Sequence, residues 1–352
     1  MTTDETRRNG QGTDHEAAIE AEGIELTYAD GTRAVQGVDL RVPRGEFFGF
    51  LGPNGAGKTT TIKTLATLLS PTAGTVHVNG FDAVAEPRKV RQSIGYMAQE
   101  TSVDPELTAE ENLRFACEAY GVPRADRAER IAELLDLVDL ADVADKRAEE
   151  FSGGMKKRLD AATALVHSPP LVFLDEPTTG LDPKARNRLW AYFREMNDAG
   201  TTIFLTTQYL EEADQLCDRL SVIVDGRIVA TGSPADLKRE VGGEILDIDL
   251  EDGSDARERA VEVAESSSLF EAEATVEATA DGITVTSRRA RERGTDLLVA
   301  LRDAGLDVVG FNVRAPTLDD VFLAITGEHL DAEGEDGTDE TDEAAAAPEV
   351  GG

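Results

Sequence analysis

The strongest constraint on this 352-residue chain is the string Gly52-Pro53-Asn54-Gly55-Ala56-Gly57-Lys58-Thr59, set between the apolar run Phe47 to Leu51 and a helical pattern from Lys58 to Leu69. A buried-type strand that turns through glycines into a helix aims the first helical N–H groups and the positive end of the helix dipole at one point. Such a point suits a phosphate. The match to G-x-x-x-x-G-K-[ST] adds a lysine for the β and γ oxygens and a threonine hydroxyl for Mg2+. A chance glycine turn explains neither. Gly52, Pro53, Asn54, Gly55, Ala56, Gly57, Lys58, Thr59 and the adjoining Thr60 are therefore the expected nucleotide-binding residues, and ATP or GTP the expected ligand.

A phosphate loop of this kind belongs to a parallel α/β core. Leu171 to Leu174, Thr202 to Thr206 and Leu220 to Val224 read as buried strands separated by helical stretches. Ile19 to Tyr28 and Val35 to Val42 read as strands joined by a turn at Asp30-Gly31, a plausible antiparallel hairpin. From Glu110 to Asp139 the apolar spacing is helical, which predicts an α-helical insert.

A second unit follows. Strands near Ile245 to Leu250, Glu271 to Ala278, Gly282 to Ser287 and Asp307 to Val313, with helices near Ala256 to Glu265 and Thr295 to Ala304, give a βαββαβ order, that of a small ferredoxin-like module. The polar stretch 1–17 and the acidic, small-residue stretch 328–352 read as disordered tails. The expected division is 18–240 for the nucleotide-binding domain, with a helical subdomain at about 100–165, and 244–327 for an accessory α+β domain.

Leu171-Val172-Phe173-Leu174-Asp175-Glu176 is an apolar strand that ends in two carboxylates. At the carboxyl end of a parallel strand, acids face the ligand crevice. Asp175 is expected to hold Mg2+ and Glu176 to orient or deprotonate the attacking water. Alone, two acids after a strand are more often a cap or loop charge; the phosphate loop upstream makes catalysis the better reading.

Composition narrows the partners. The formal net charge is −34, from 69 acidic and 35 basic residues, so nucleic acid is a poor partner. With lysine scarce beside arginine, the composition resembles that of salt-adapted archaeal proteins. At about 1 M salt the screening length falls to roughly 3 Å and self-repulsion fades. Cys117 and Cys217 stand far apart, which argues against a disulfide framework or zinc cluster. No apolar run approaches the roughly 20 residues that span a bilayer, and the N-terminus lacks a signal-peptide core. A cytoplasmic protein is expected, and any membrane channel must be another polypeptide.

Phe151-Ser152-Gly153-Gly154-Met155, placed before a helix and ahead of the acidic strand, resembles the signature loop of ABC ATPases. Taken alone, Ser152 could be a plain helix N-cap. The resemblance implies an ABC-type phosphate-loop ATPase core with an antiparallel β subdomain and a helical subdomain, plus the small ferredoxin-like C-terminal domain. It further implies that Ser152, Gly153 and Gly154 contact ATP held by the opposite subunit, so that two head-to-tail chains, most simply a homodimer, share two sites. On the same basis Tyr28 would stack on adenine, Gln99 would sense Mg2+ and water, and Asp182 of Gly180-Leu181-Asp182 would link the two sites.

Two positions depart from the common pattern: Met155 stands where glutamine is frequent, and Gln208 where most members have a histidine facing the γ-phosphate. Gln208 can donate and accept hydrogen bonds but cannot carry a proton away. That leaves Glu176 as the natural base. The runs Ser152 to Asp160, Thr206 to Asp214 and Ala315 to Leu323 resemble the daunorubicin-resistance type of exporter ATPase. For that type the resemblance implies a separate ABC-2 type permease, a C-terminal module supporting assembly, and a peripheral position on the cytoplasmic face of the membrane. A soluble ABC ATPase acting on ribosomes or DNA is the rival reading; neither a second cassette nor a long coiled coil supports it. A third reading, prompted by Gln208, is a nucleotide-dependent assembly factor with negligible turnover.

Overall fold

Alternation along the apolar strands places one set of side chains on each side of a central sheet. In the computed structural model, which describes residues 17–251, 254–270 and 274–326, the strands are β1 (Ala17–Thr27), β2 (Arg33–Pro43), β3 (Phe47–Leu51), β4 (Ala73–Val78), β5 (Phe81–Asp82), β6 (Ile94–Met97), β7 (Leu171–Asp175), β8 (Thr202–Thr207), β9 (Arg219–Val224), β10 (Arg227–Gly232), β11 (Glu244–Leu250), β12 (Thr275–Ala278), β13 (Gly282–Ser287) and β14 (Val308–Arg314). The α-helices are α1 (Lys58–Leu65), α2 (Pro87–Gln92), α3 (Ala109–Ala119), α4 (Arg127–Leu137), α5 (Gly153–Thr163), α6 (Pro183–Asp198), α7 (Leu210–Leu216), α8 (Pro234–Glu240), α9 (Ser254–Ser266), α10 (Ala290–Asp303) and α11 (Leu318–Thr326). Residues 1–16 and 327–352, on which most of the two expected tails fall, and residues 271–273 of one expected strand lie outside the described residues.

Six strands in the order β10-β9-β3-β8-β7-β6 form the central sheet, parallel except for β10. Phe47 and Leu51 face one core with Leu174, Leu205 and helices α5, α6 and α7. Phe48 and Phe50 face the other, with Phe173, Phe204, Ile62 of α1 and the antiparallel sheet β2-β1-β4-β5. Phe204 is the centre of that second core, its ring 5.5 Å from Phe48, 5.7 Å from Phe50 and 5.6 Å from Phe173. The expected insert is the pair α3 and α4, which packs with α5 in the first core. Thr108 starts α3 with a capping box closed by Glu111. Helix α1 stops at Leu65, short of the Leu69 that periodicity allowed, and Thr67 turns left-handed at φ 62°.

The C-terminal strands pair in the order β12-β13-β11-β14, all antiparallel, the ferredoxin-like order expected from βαββαβ. This module has its own core, where Leu246 and Ile248 of β11 pack on Leu297 and Leu301 of α10. The sequence reading did not include α11, whose buried Leu318, Val321 and Phe322 join the first core beside Leu216 and Leu237. Arg314, at the end of β14, ties it in place with paired bonds of 2.6 and 3.0 Å to Asp320 while also reaching Asp247 at 2.8 Å.

Replacing Phe204 with Ala should cost about 3–5 kcal/mol, because three aromatic neighbours lose their common partner. Urea unfolding checks it; a loss under about 1 kcal/mol would mean that the second core closes over the gap.

Candidate nucleotide site

Parallel pairing brings the ends of four strands to one edge: Leu51 lies opposite Thr207, and Asp175 opposite Thr206, with β6 next to β7. The residues that follow these strands, the phosphate loop, Glu176, Gln208 and Gln99, thus share the carboxyl edge of the sheet. The loop is tightly walled. A Cβ on Gly52 would lie 2.3 Å from the Ile223 carbonyl oxygen, and one on Gly57, at φ 103°, 2.3 Å from that of Ala34.

Lys58 is 4% exposed and folds back along the loop. Its Nζ donates to the carbonyl oxygens of Gly52 at 2.7 Å and Pro53 at 3.0 Å, and lies 3.3 Å from Glu176 Oε1. Burial pushes the ammonium's pKa down, against the pull of the Glu176 and Asp175 carboxylates. The Thr59 hydroxyl donates to Asp175 Oδ1 at 3.2 Å and Thr206 Oγ1 donates to the same oxygen at 2.6 Å. Asp175 Oδ2 is buried without a hydrogen-bond partner, and burial raises the carboxyl's pKa despite those two hydroxyls.

Glu176 adopts a left-handed φ of 47°, a conformation that costs a non-glycine residue on the order of 1 kcal/mol and persists only when neighbours hold it. Its N–H is held by Thr206 O at 3.0 Å and Thr206 Oγ1 at 3.2 Å. Gln99 Nε2 donates to Glu176 Oε2 at 3.3 Å. Tyr28 is half-exposed at the rim, its hydroxyl 3.0 Å from Thr60 Oγ1. The Gln208 side chain is partly exposed and has no hydrogen-bond partner among the described residues.

Ser152, Gly153, Gly154 and Asp182 are elsewhere. They line one open groove with Gly180 and Arg188, to which no residue of the phosphate loop contributes. Ser152 Oγ accepts from Met155 N at 3.3 Å and Asp182 Oδ1 from Ala185 N at 2.9 Å, so each caps a helix. One chain therefore assembles two separate sets of the expected residues.

Several residues of this region were not singled out from sequence. Glu212 of α7 is fully buried; its Oε1 accepts from Thr178 Oγ1 at 3.0 Å and from Nε1 of Trp190 at 2.9 Å, while Oε2 has no partner. It joins the loop after Glu176 to α6 and to the Gln208 loop. Asp160, within the apolar face of α5, accepts from both N and Oγ of Ser102. An acid amid Leu159, Ala161 and Ala162 was the available signal. Both cysteines are free and buried, with no disulfide between them.

A daunorubicin/doxorubicin resistance ATP-binding protein of Streptomyces peucetius is 44% identical over 317 residues, covering 89% of this chain and 94% of the relative. The chain belongs to the ABC transporter ATP-binding family. The family model described as ABC transporter matches residues 35–179, and that of the ATP-binding protein DrrA1-3-like C-terminal domain matches 232–326. A linearmycin resistance ATP-binding protein of Bacillus subtilis is 35% identical, covering 89% of this chain and 99% of the relative. Among solved structures, an ATP-binding subunit of an ABC transporter aligns with a TM-score of 0.59 at 33% identity, covering 64% of this chain and 93% of its own. A dimeric cassette in a post-hydrolysis state with ADP and Pi aligns with a TM-score of 0.57 at 27% identity, covering 61% and 98%. This ABC chain is an ATPase subunit, and among its described residues no helix is long and apolar enough to cross a membrane.

Burial raises the pKa of Glu212 above its ordinary 4.5, outweighing its hydrogen bonds and Arg186. Above that value the unfolded chain loses the proton that the folded state keeps, so stability falls as pH rises. Glu212→Gln should remove this fall. The thermal midpoint of the variant, relative to the parent, should climb as the pH is raised above the ordinary 4.5; a difference that stays flat would show that ionising Glu212 costs nothing.

Proposed function

We propose that two copies of this chain form a head-to-tail homodimer that binds two ATP and, through closure and hydrolysis, drives a separate ABC-2 type permease on the cytoplasmic face of the membrane. The observation that carries this reading is the division of the site. Lys58, Thr59, Gln99, Asp175 and Glu176 converge at one sheet edge, whereas the Ser152 and Asp182 groove stands apart, so a second copy would complete each site. A drug, lipid or other hydrophobic cargo is in keeping with the names of the resistance relatives. Residues 18–240 would form the motor and 244–327 the accessory module; the separate core beneath β11, β13 and α10 supports the division, while α11 returns to the core of the motor.

Mg2+ fits the donors present. Buried Asp175 Oδ2 lacks a partner, and the Thr59 hydroxyl lies against Oδ1 of the same carboxylate. Hard oxygen donors with one carboxylate, completed by phosphate and water, are what this cation takes. Thr59 and Asp175 would hold it, with Gln99 beside them, and when bound it supplies neutralisation of β- and γ-phosphate charge. Tyr28 would cover the adenine, and the backbone of Gly52 to Thr60 would cradle the phosphates.

The Lys58 contact with Glu176 gives hydrolysis a physical trigger. While the ammonium sits 3.3 Å away it occupies Glu176 Oε1, the oxygen that a water would otherwise approach. Phosphate oxygens that draw Lys58 away free Glu176 to take a proton from water. The water oxygen then attacks the γ-phosphorus, the bond to the bridging oxygen breaks, and ADP and phosphate result. Gln208 can hold the γ-phosphate or the water by hydrogen bonds but cannot accept the proton. Ser152 and the N–H groups of Gly153 and Gly154 would reach the γ-phosphate from the opposite chain.

Glu176→Gln should lower kcat by about 10²-fold to 10⁴-fold and leave ATP binding in place, as steady-state turnover and equilibrium binding would report. Lys58→Ala should weaken binding itself. Mixing a Lys58→Ala chain with a Ser152→Arg chain, each inactive alone, should restore up to about one quarter of parental turnover, because half the dimers then hold one intact shared site. No recovery would count against the head-to-tail arrangement.

A further inference from the structure

The segment from Ala98 to Asp104 has no helix or strand of its own, yet it carries Gln99 to Glu176. What holds it is a set of side chains. From α5, Asp160 Oδ1 accepts from Ser102 N at 3.1 Å and from Ser102 Oγ at 2.5 Å, and Lys157 Nζ donates to the Gln99 carbonyl oxygen. Lys157 and Asp160 stand three residues apart and so share a helix face. At the far end, Asp104 N donates to Asn112 Oδ1 at 2.8 Å and Asn112 Nδ2 donates to the Asp104 carbonyl at 3.1 Å, fixing the segment to α3.

Asp160 is 1% exposed, and its Oδ2 is buried with no partner. A half-satisfied buried carboxyl costs stability where an apolar residue would fit. Its contribution is therefore to be sought in what it holds. We propose that Asp160 is a positioning residue: together with Lys157 it clamps the Gln99 segment to α5, so that the helix headed by Ser152 and the amide on Glu176 move as one body. Displacement of α5, when Ser152 meets the nucleotide of the opposite chain, then shifts Gln99 at the chain's own site. The inference rests on the assignment of Gln99 and Glu176 to the ATP site made above.

The test is steady-state ATPase activity of the full-length chain bearing Asp160→Ala, Asp160→Asn, Ser102→Ala and Gln99→Ala, alone and combined. Asp160→Ala should lower kcat about tenfold with KM for ATP within about twofold, and Asp160→Asn, which keeps the acceptor oxygen, should stay within about threefold of the parent. In a Gln99→Ala background, Asp160→Ala should lower kcat by less than about twofold further, because the clamp acts through Gln99. Should Asp160→Ala fail to fold, Ser102→Ala carries the same comparison, with a drop of about threefold that vanishes beside Gln99→Ala. Effects that multiply, or a folded Asp160→Ala chain with parental kcat, overturn the clamp if Glu176→Gln still abolishes turnover. Turnover that survives Glu176→Gln overturns the site assignment and the clamp with it.

Discussion

An ammonium and a carboxylate 3.3 Å apart, 4% and 6% exposed, join the phosphate loop to the end of β7 across the intervening strand β8. Removing two charges from water is expensive, and in such a setting the pair survives only with further hydrogen bonds around it. The Gly52 and Pro53 carbonyls supply them to Lys58, and Gln99 and Thr206 surround Glu176. The glycines matter for the same reason: only a backbone that wraps this closely presents its carbonyls to the lysine. Loss of either charge leaves the other buried and unpaired, so neither residue is a free-standing functional group.

Around that pair, short polar contacts connect pieces that are remote in sequence. Thr206 touches both acids, Glu212 ties the loop beyond Glu176 to α6, and Asp160 ties the Gln99 segment to α5. Each contact is modest, but together they couple the sheet edge to the helical insert. The C-terminal module joins this body by two routes: the chain link at Gly242-Gly243, and the return of α11, whose apolar face is buried in the core of the first unit. Arg314 and Asp320 set the angle of that return.

Much of this was open to reading because local physics dictates it. The strand, glycine turn, lysine and hydroxyl of residues 47–59 depend on one another within a few residues, and short continuous apolar runs mark β3, β7, β8 and β9, which are buried on both faces. The βαββαβ order and its strand pairing followed from short connections and alternating patterns. Strands β4, β5, β6 and β10 were not anticipated: β4 and β10 are half-exposed with weak alternation, and β5 and β6, at 2 and 4 residues, are too short to show a pattern. The burial of the carboxyls Asp160 and Glu212 is not legible in the sequence, since an acid in a helix is far more often solvated.

By itself, the sequence determined that this chain has a nucleotide-binding α/β core, an acidic catalytic-type strand and a second α+β unit, because those features are written in spacings of two to four residues. Only the tertiary structure decided that Lys58 bonds to Glu176, that Ser152 and Asp182 form a groove apart from the phosphate loop, and that Asp160 holds the Gln99 segment. Those contacts join residues tens to more than a hundred positions apart. Their partners are chosen by strand order and helix packing, which no local pattern encodes.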